Sequence, residues 1–157
     1  MWMFILAVLL GSPEKCSSTE FGYQGDYLAG GKALHLGRPV DPQHDVGIAH
    51  RTLPLGSMVV LHIPSRDTWT TAVVIDRGPY GRLDSDGSWY NGASDWKRCG
   101  RKRGCYPPDT AWRGCADLTP KTAELLEHDG WEQIHIYPVK GSYVSRGELL
   151  NSWGGNS

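Results

Sequence analysis

Two adjacent runs of hydrophobic residues, 58–63 and 68–75, carry the clearest pattern of regular structure in the chain. Both runs are dense in β-branched side chains, which favour strands. The polar segment 64–67 separates them and begins with Pro64, a residue that favours turns. The pattern therefore predicts a β-hairpin with a slightly long loop.

A second patterned region covers residues 119–139. Thr119 suits an N-cap, Pro120 suits the first helical position, and Gly130 suits the end of a helix. Three apolar side chains supply the buried face of this helix, namely Ala123, Leu125 and Leu126. Residues 131–139 then alternate apolar and polar side chains, which is typical of a half-buried strand. The region predicts one short helix followed by a strand.

The remaining segments set the expected domain organisation. Residues 1–20 join an apolar start to a polar connector, residues 81–114 form a non-periodic insertion loop rich in cysteine and tryptophan, and residues 141–157 form a loosely ordered tail. A length of 157 residues fits one domain. We assign that domain to residues 21–140 and expect it to be mainly β, because 20 glycines and 10 prolines indicate many turns.

The apolar run at residues 1–10 is too short to span a bilayer, which needs roughly 20 residues. It resembles the hydrophobic region of a secretory signal, although no Lys or Arg precedes it and Pro13 follows closely. The alternative is a buried first strand. We expect a secreted, periplasmic or envelope protein, or a virion-associated one if a phage encodes it, with no stable membrane span.

The formal net charge of −1 gives no overall attraction to nucleic acid or to an anionic membrane, so we expect no nucleic-acid partner. Four cysteines stand at positions 16, 99, 105 and 115. Disulfides fit an exported chain, and three pairings are possible. Zinc binding fits less well, because the spacings lack a close C-x2-C pair and no histidine is near.

Three segments carry a resemblance to a known family. They are Gly47-Ile-Ala-His-Arg-Thr-Leu-Pro-Leu-Gly-Ser57, Val73-Val-Ile-Asp-Arg-Gly-Pro-Tyr80 and Ala116-Asp-Leu-Thr119 with the helix that follows. In this order and spacing they resemble the RlpA-like double-psi β-barrel family, over roughly residues 45–80 and 115–139. The first two segments together are specific, whereas either one alone is weak.

The resemblance implies a six-stranded double-psi β-barrel with a shallow groove for an extended glycan. Plant expansins, family 45 endoglucanases and MltA-type transglycosylases share this fold. RlpA proteins act on bare glycan strands of peptidoglycan. The expected activity is therefore that of a lytic transglycosylase, a carbon–oxygen lyase that cleaves between MurNAc and GlcNAc without hydrolysis.

The resemblance places three candidate catalytic residues, Asp76, His50 and Asp117. A carboxylate at the mouth of an apolar barrel loses hydration, which raises its pKa and suits Asp76 to acid and base catalysis. His50 is its expected partner and Asp117 a supporting carboxylate. The competing interpretations are structural: Asp76 caps a turn, His50 holds a loop, and Asp117 favours the N-terminus of the helix.

Substrate binding is assigned to five residues in and after the Asp-Arg-Gly-Pro turn: Arg77, Tyr80, Trp89, Trp96 and Trp112. Sugar rings stack on flat aromatic faces, but aromatics equally close a small core beneath a loop. One departure concerns the acidic pair that many RlpA relatives carry ahead of the histidine segment. Asp41 matches its second acid, and no Glu matches its first.

A metal site built from Asp41, His44, Asp45 and His50 is considered and not assigned, because no close-spaced ligand motif accompanies these residues. We expect no cofactor, a monomer, and peptidoglycan glycan strands as the partner. Two alternatives remain open. One is a non-catalytic, expansin-like glycan-binding module, and the other is a β-1,4-glycan hydrolase.

Overall fold

The computed structural model describes residues 11–20, 32–50, 52–77, 81–83, 89–91 and 114–154. Within these ranges the strands are β1 (Glu14–Glu20), β2 (Gly47–His50), β3 (Met58–Ile63), β4 (Thr68–Asp76), β5 (Gly81–Leu83), β6 (Trp89–Asn91), β7 (Gly114–Leu118) and β8 (Glu132–Pro138). The helices are α1 (Pro120–Leu126) and α2 (Arg146–Ser152). No helix in the described ranges has the length and apolar character needed to cross a membrane.

Six strands close into a barrel in the order β1-β7-β2-β4-β3-β8. The pairs β1–β7 and β2–β4 are parallel, and the other four pairs are antiparallel. Closure leaves no edge strand in the barrel with unpaired backbone groups. The expected mainly β fold with a closed six-stranded barrel is confirmed.

The predicted hairpin is strands β3 and β4, paired from Met58 with Val73 to Ile63 with Thr68. Alternate side chains of β3 enter the barrel, where Val59, Leu61 and Ile63 are fully buried. The predicted C-terminal strand is β8, whose buried residues Ile134 and Ile136 face the same core. The apolar alternation along these strands is what fills the barrel interior.

The helix α1 begins as predicted and ends earlier. The Thr119 side chain caps it by accepting a hydrogen bond from the backbone of Thr122, and Pro120 is its first residue. The helix stops at Leu126 because Glu127 takes a left-handed conformation, with φ 54°. The expected stop, Gly130, instead lies in the turn before β8.

The first barrel strand begins inside the segment assigned to an N-terminal connector. Residues 17–20 belong to β1, which pairs with both β7 and β8. The side chains of residues 18–20 form hydrogen bonds, and the Ser18 hydroxyl, for example, donates to the carbonyl oxygen of Glu132 at 2.9 Å. Residues 1–10 lie outside the described residues.

The segment assigned to a loose C-terminal tail contains the second helix, so the expectation of one helix is corrected to two in the described residues. Ser145 caps α2 by accepting from the backbone of Glu148. The helix buries Leu149 against a small apolar cluster on the outer wall of the barrel, made with Ala33, Leu36, Val40, Val73 and Ile75. Because Leu149 is the one buried residue of α2, the helix has no repeated apolar spacing that would reveal it in the sequence.

A disulfide joins Cys16 of β1 to Cys115 of β7. The two strands are neighbours in the barrel, and the two cysteines are 99 residues apart in the sequence. It confirms the expectation of a disulfide and selects one of the pairs that the sequence left open. Cys99 and Cys105 lie outside the described residues, as does most of the predicted insertion loop. Within that segment, the described strands β5 and β6 pair antiparallel.

Candidate functional site

Asp76 ends β4, at the rim of the barrel. Its Oδ1 accepts a hydrogen bond from the backbone N–H of Leu34 at 3.4 Å. Burial raises the pKa of the Asp76 carboxyl, while the backbone N–H groups of Arg77 and Leu34 and the charge of Arg77 oppose the rise. Desolvation is the largest of these causes, so this carboxyl holds its proton to a higher pH than an ordinary aspartate.

His50 ends β2 and is 1 % exposed. Its Nδ1 accepts hydrogen bonds from the backbone N–H groups of Thr52 (3.2 Å) and Leu53 (3.1 Å). The ring proton therefore resides on Nε2, which donates to Oε2 of Glu14 at 2.8 Å. With both ring nitrogens engaged, His50 is a positioning residue for the loop that follows β2.

Arg77 ties that loop to the end of β4. Its Nη1 donates to the carbonyl oxygens of His50, at 2.9 Å, and of Leu53. The guanidinium thereby fixes the chain after β2 against the residue next to Asp76. These contacts give Arg77 a structural role at the rim, and its assignment to substrate binding stays a prediction.

Asp117 lies on β7, where its Oδ1 accepts a hydrogen bond from the Thr19 hydroxyl at 3.0 Å. Ala49 pairs with Asp117 on one side and with Asp76 on the other, so the two acidic residues occupy the strands flanking β2. Two strand spacings separate their backbones by about 10 Å. The backbones of the three candidate catalytic residues thus lie on the neighbouring strands β4, β2 and β7.

The predicted aromatic binding residues are only partly placed. Trp89 belongs to strand β6, and Tyr80, Trp96 and Trp112 lie outside the described residues. The structure therefore neither joins them to Asp76 nor separates them from it.

A different aromatic group, which the sequence analysis missed, lies on strands β3, β4 and β8. The rings of His62 and Trp69 stack with centroids 3.8 Å apart, and Tyr137 lies 5.9 Å from Trp69. Asp67 Oδ1 accepts hydrogen bonds from His62 Nε2 at 3.0 Å and Trp69 Nε1 at 3.2 Å. In the sequence, His62 and Tyr137 alternate with the buried residues of their strands. That alternation places their side chains on the strand face opposite the core.

The acidic residues considered for a metal site hold a loop together instead. Asp45 is fully buried and accepts two hydrogen bonds from the Arg38 guanidinium, at 2.6 and 2.8 Å, and one from the backbone of Asp41. Asp41 in turn bonds His44 Nδ1 at 2.8 Å. Through these contacts, both carboxylates cross-link the segment that precedes β2.

A serine–histidine–glutamate chain also joins β1 to the turn after α1. Ser18 Oγ lies 2.8 Å from His128 Nε2, and His128 Nδ1 lies 3.2 Å from Glu20 Oε1. This chain of hydroxyl, imidazole and carboxylate resembles a catalytic nucleophile with its base. However, Ser18 and the His128 side chain are fully buried. A substrate has no access to such a hydroxyl, so this chain serves packing.

Comparison of the sequence with protein-family models finds no match, and comparison with curated proteins also finds none.

Proposed function

We propose that this chain is an RlpA-like double-psi β-barrel that cleaves peptidoglycan glycan strands as a lytic transglycosylase. The motif order supports this: one segment begins at β2 and ends just before β3, the second includes the end of β4, and the third includes the end of β7 and leads into α1. The two parallel strand pairs within an otherwise antiparallel barrel are compatible with a double-psi topology.

The observation that carries the proposal is the desolvated Asp76 at the barrel rim. A carboxyl with a raised pKa keeps its proton to a higher pH than an ordinary aspartate, which suits Asp76 to donate that proton to the glycosidic oxygen as the bond to C1 breaks. The resulting carboxylate then accepts the proton of the muramic acid 6-hydroxyl, whose oxygen attacks C1. The products are an anhydro-muramyl end and a free sugar hydroxyl, and Asp76 regains its proton.

His50, Arg77 and Asp117 have supporting roles in this scheme. His50 and Arg77 fix the chain beside Asp76 through the contacts described above. Asp117, on the far side of Ala49, supplies negative charge that stabilises a positively charged sugar transition state. The reaction needs no cofactor, because proton transfer by one carboxyl suffices.

One observation favours hydrolysis as a second candidate function. Asp76 and Asp117 flank the same residue, and inverting glycosidases hold two carboxyl groups about 6.5–9.5 Å apart with a water between them. In that scheme Asp117 activates the water and Asp76 remains the acid.

The proposed setting is the bacterial cell envelope, where the chain acts as a monomer. The Cys16–Cys115 disulfide is compatible with export, because disulfides persist in oxidising compartments.

The test is product analysis by mass spectrometry after incubation with purified sacculi and with amidase-stripped glycan. The variant is Asp76→Asn, and the matched control is Asp129→Asn, an exposed aspartate on the turn before β8. The proposal predicts anhydro-muramyl products that fall about 100-fold or more in Asp76→Asn and are unchanged in the control. Protein that binds glycan and releases nothing is a binding module, and that outcome contradicts the proposal.

A further inference from the structure

One group of sulfur and carboxylate atoms in the described part of the chain lies close enough to hold a metal ion. Sγ of Cys16, Sγ of Cys115 and a carboxylate oxygen of Glu14 all lie within 4.8 Å of one another. In the oxidised protein the two sulfurs share a disulfide, so their lone pairs are not those of thiolates. Reduction changes the chemistry of this group completely.

We propose that reduction of the Cys16–Cys115 disulfide converts this group into a zinc site with ligands Cys16, Cys115 and Glu14. Two thiolates and a carboxylate are a ligand set that suits Zn²⁺. This inference is independent of the proposed glycan chemistry, which uses a different carboxyl and the oxidised protein.

The geometry supports a tetrahedral ion. At a tetrahedral angle, zinc–sulfur distances of about 2.3 Å and zinc–oxygen distances of about 2.0–2.2 Å separate neighbouring ligand atoms by about 3.5–3.8 Å. The three atoms already fall within 4.8 Å, and the two cysteine Cα atoms are 5.8 Å apart on paired strands. Small side-chain rotations after reduction therefore reach the required positions without moving the barrel, and water completes the tetrahedron.

His50 supports the carboxylate ligand. Its Nε2 donates to Oε2 of Glu14 at 2.8 Å, and its Nδ1 is held by two backbone N–H groups, so the ring cannot rotate away. A carboxylate has about four lone-pair positions, so Glu14 can accept from His50 and still bind the ion. Hydrogen bonds of this kind fix a metal ligand in place.

The charge of the reduced group also favours a cation. Deprotonation of both thiols would place three negative charges within a few ångströms, at a site where Cys115 is 1 % exposed. A divalent ion offsets that repulsion. Zinc binding therefore releases the thiol protons to solvent.

The reduction requires a dithiol reductant. One of its thiolates attacks Cys16, which is the more exposed residue of the two, and Cys115 leaves as a thiolate that takes up a proton. The second thiol of the reductant then displaces Cys16, which also takes up a proton, and the reductant becomes a disulfide. Two electrons and two protons are transferred in total.

The test uses Co²⁺ and Zn²⁺ with oxidised and reduced protein carrying Cys99→Ser and Cys105→Ser, which leaves Cys16 and Cys115 as the only cysteines. Reduced protein should bind one Co²⁺ with a thiolate-to-cobalt charge-transfer band and the visible bands of a tetrahedral site. Oxidised protein should show neither. Equal binding by both forms, or binding without the thiolate band, would overturn the proposal.

Glu14→Gln tests the third ligand, with Glu124→Gln on α1 as the matched control. Chelator competition should show zinc affinity lowered about tenfold or more by Glu14→Gln and unchanged by Glu124→Gln. An unchanged affinity in Glu14→Gln would remove Glu14 from the site.

Alkylation of the natural sequence provides a measurement that needs no variant. Zinc should protect Cys16 and Cys115 of the reduced chain from iodoacetamide, as read by peptide mass spectrometry. Labelling of these two cysteines that is indifferent to zinc would contradict the proposal even if the cysteine variants failed to fold.

Discussion

The Cys16–Cys115 disulfide should contribute much of the stability of this barrel. It closes a chain segment of 99 residues, so it greatly restricts the unfolded state. The loop-entropy relation gives about 15.8 cal/mol/K for that length, or about 4.7 kcal/mol at 25 °C. Domains of this size are stable by about 5–15 kcal/mol in total, so reduction should remove about 30 % or more of the free energy of unfolding.

Urea unfolding of the oxidised and reduced protein, followed by far-ultraviolet circular dichroism, measures this difference. A chelator in both samples keeps metal ions from stabilising the reduced form. The Cys99→Ser and Cys105→Ser background isolates the disulfide between β1 and β7. The unfolding midpoint should fall and the urea dependence should steepen, because the reduced unfolded chain exposes more surface. A loss below about 1 kcal/mol would refute the entropic reasoning.

Three other substitutions test the packing and the electrostatics. The pKa of the Asp76 carboxyl is raised in the fold, so its contribution to stability is lost as pH rises above about 4. Relative to the natural protein, Asp76→Asn should therefore become increasingly stable as pH rises through this range. An equal pH dependence of the two proteins in paired urea titrations would contradict this. Gly47→Ala should cost about 1–3 kcal/mol, since its Cβ would lie 2.8 Å from Ile75, and an unchanged midpoint would mean that this contact yields freely. Leu149→Ala should cost about 2–5 kcal/mol by thermal unfolding, whereas no loss would show that α2 is not needed for stability.

The strands were predictable where burial alternates strictly. Val59, Leu61 and Ile63 repeat every second residue, so β3 was evident in the sequence, and the same holds for Ile134 and Ile136 in β8. Strand β1 was not evident in the sequence, because Ser18 is polar although it is buried as fully as the core leucines. Its hydroxyl is satisfied by partners more than 100 residues away, and no local pattern records such contacts.

The candidate site was likewise predictable from the sequence only in part. Asp76 was predictable as a desolvated carboxyl because it ends a strongly apolar strand, and the structure places it there with a raised pKa. The partner of His50 was not predictable, since Glu14 lies 36 residues away and reaches it only because β1 joins the barrel. Local sequence spacing shows which residues share one strand, whereas a closed barrel also brings together residues from strands that are far apart in the sequence.

The most direct test of the proposed reaction is digestion of amidase-stripped glycan in water enriched in heavy oxygen, with products weighed by mass spectrometry. If the 6-hydroxyl of the muramic acid attacks C1, the new ends are anhydro sugars that carry no label from solvent. If water attacks, each new reducing end gains one labelled oxygen. Unlabelled anhydro ends that depend on Asp76 are the predicted result, and labelled reducing ends would contradict the account and establish hydrolysis instead.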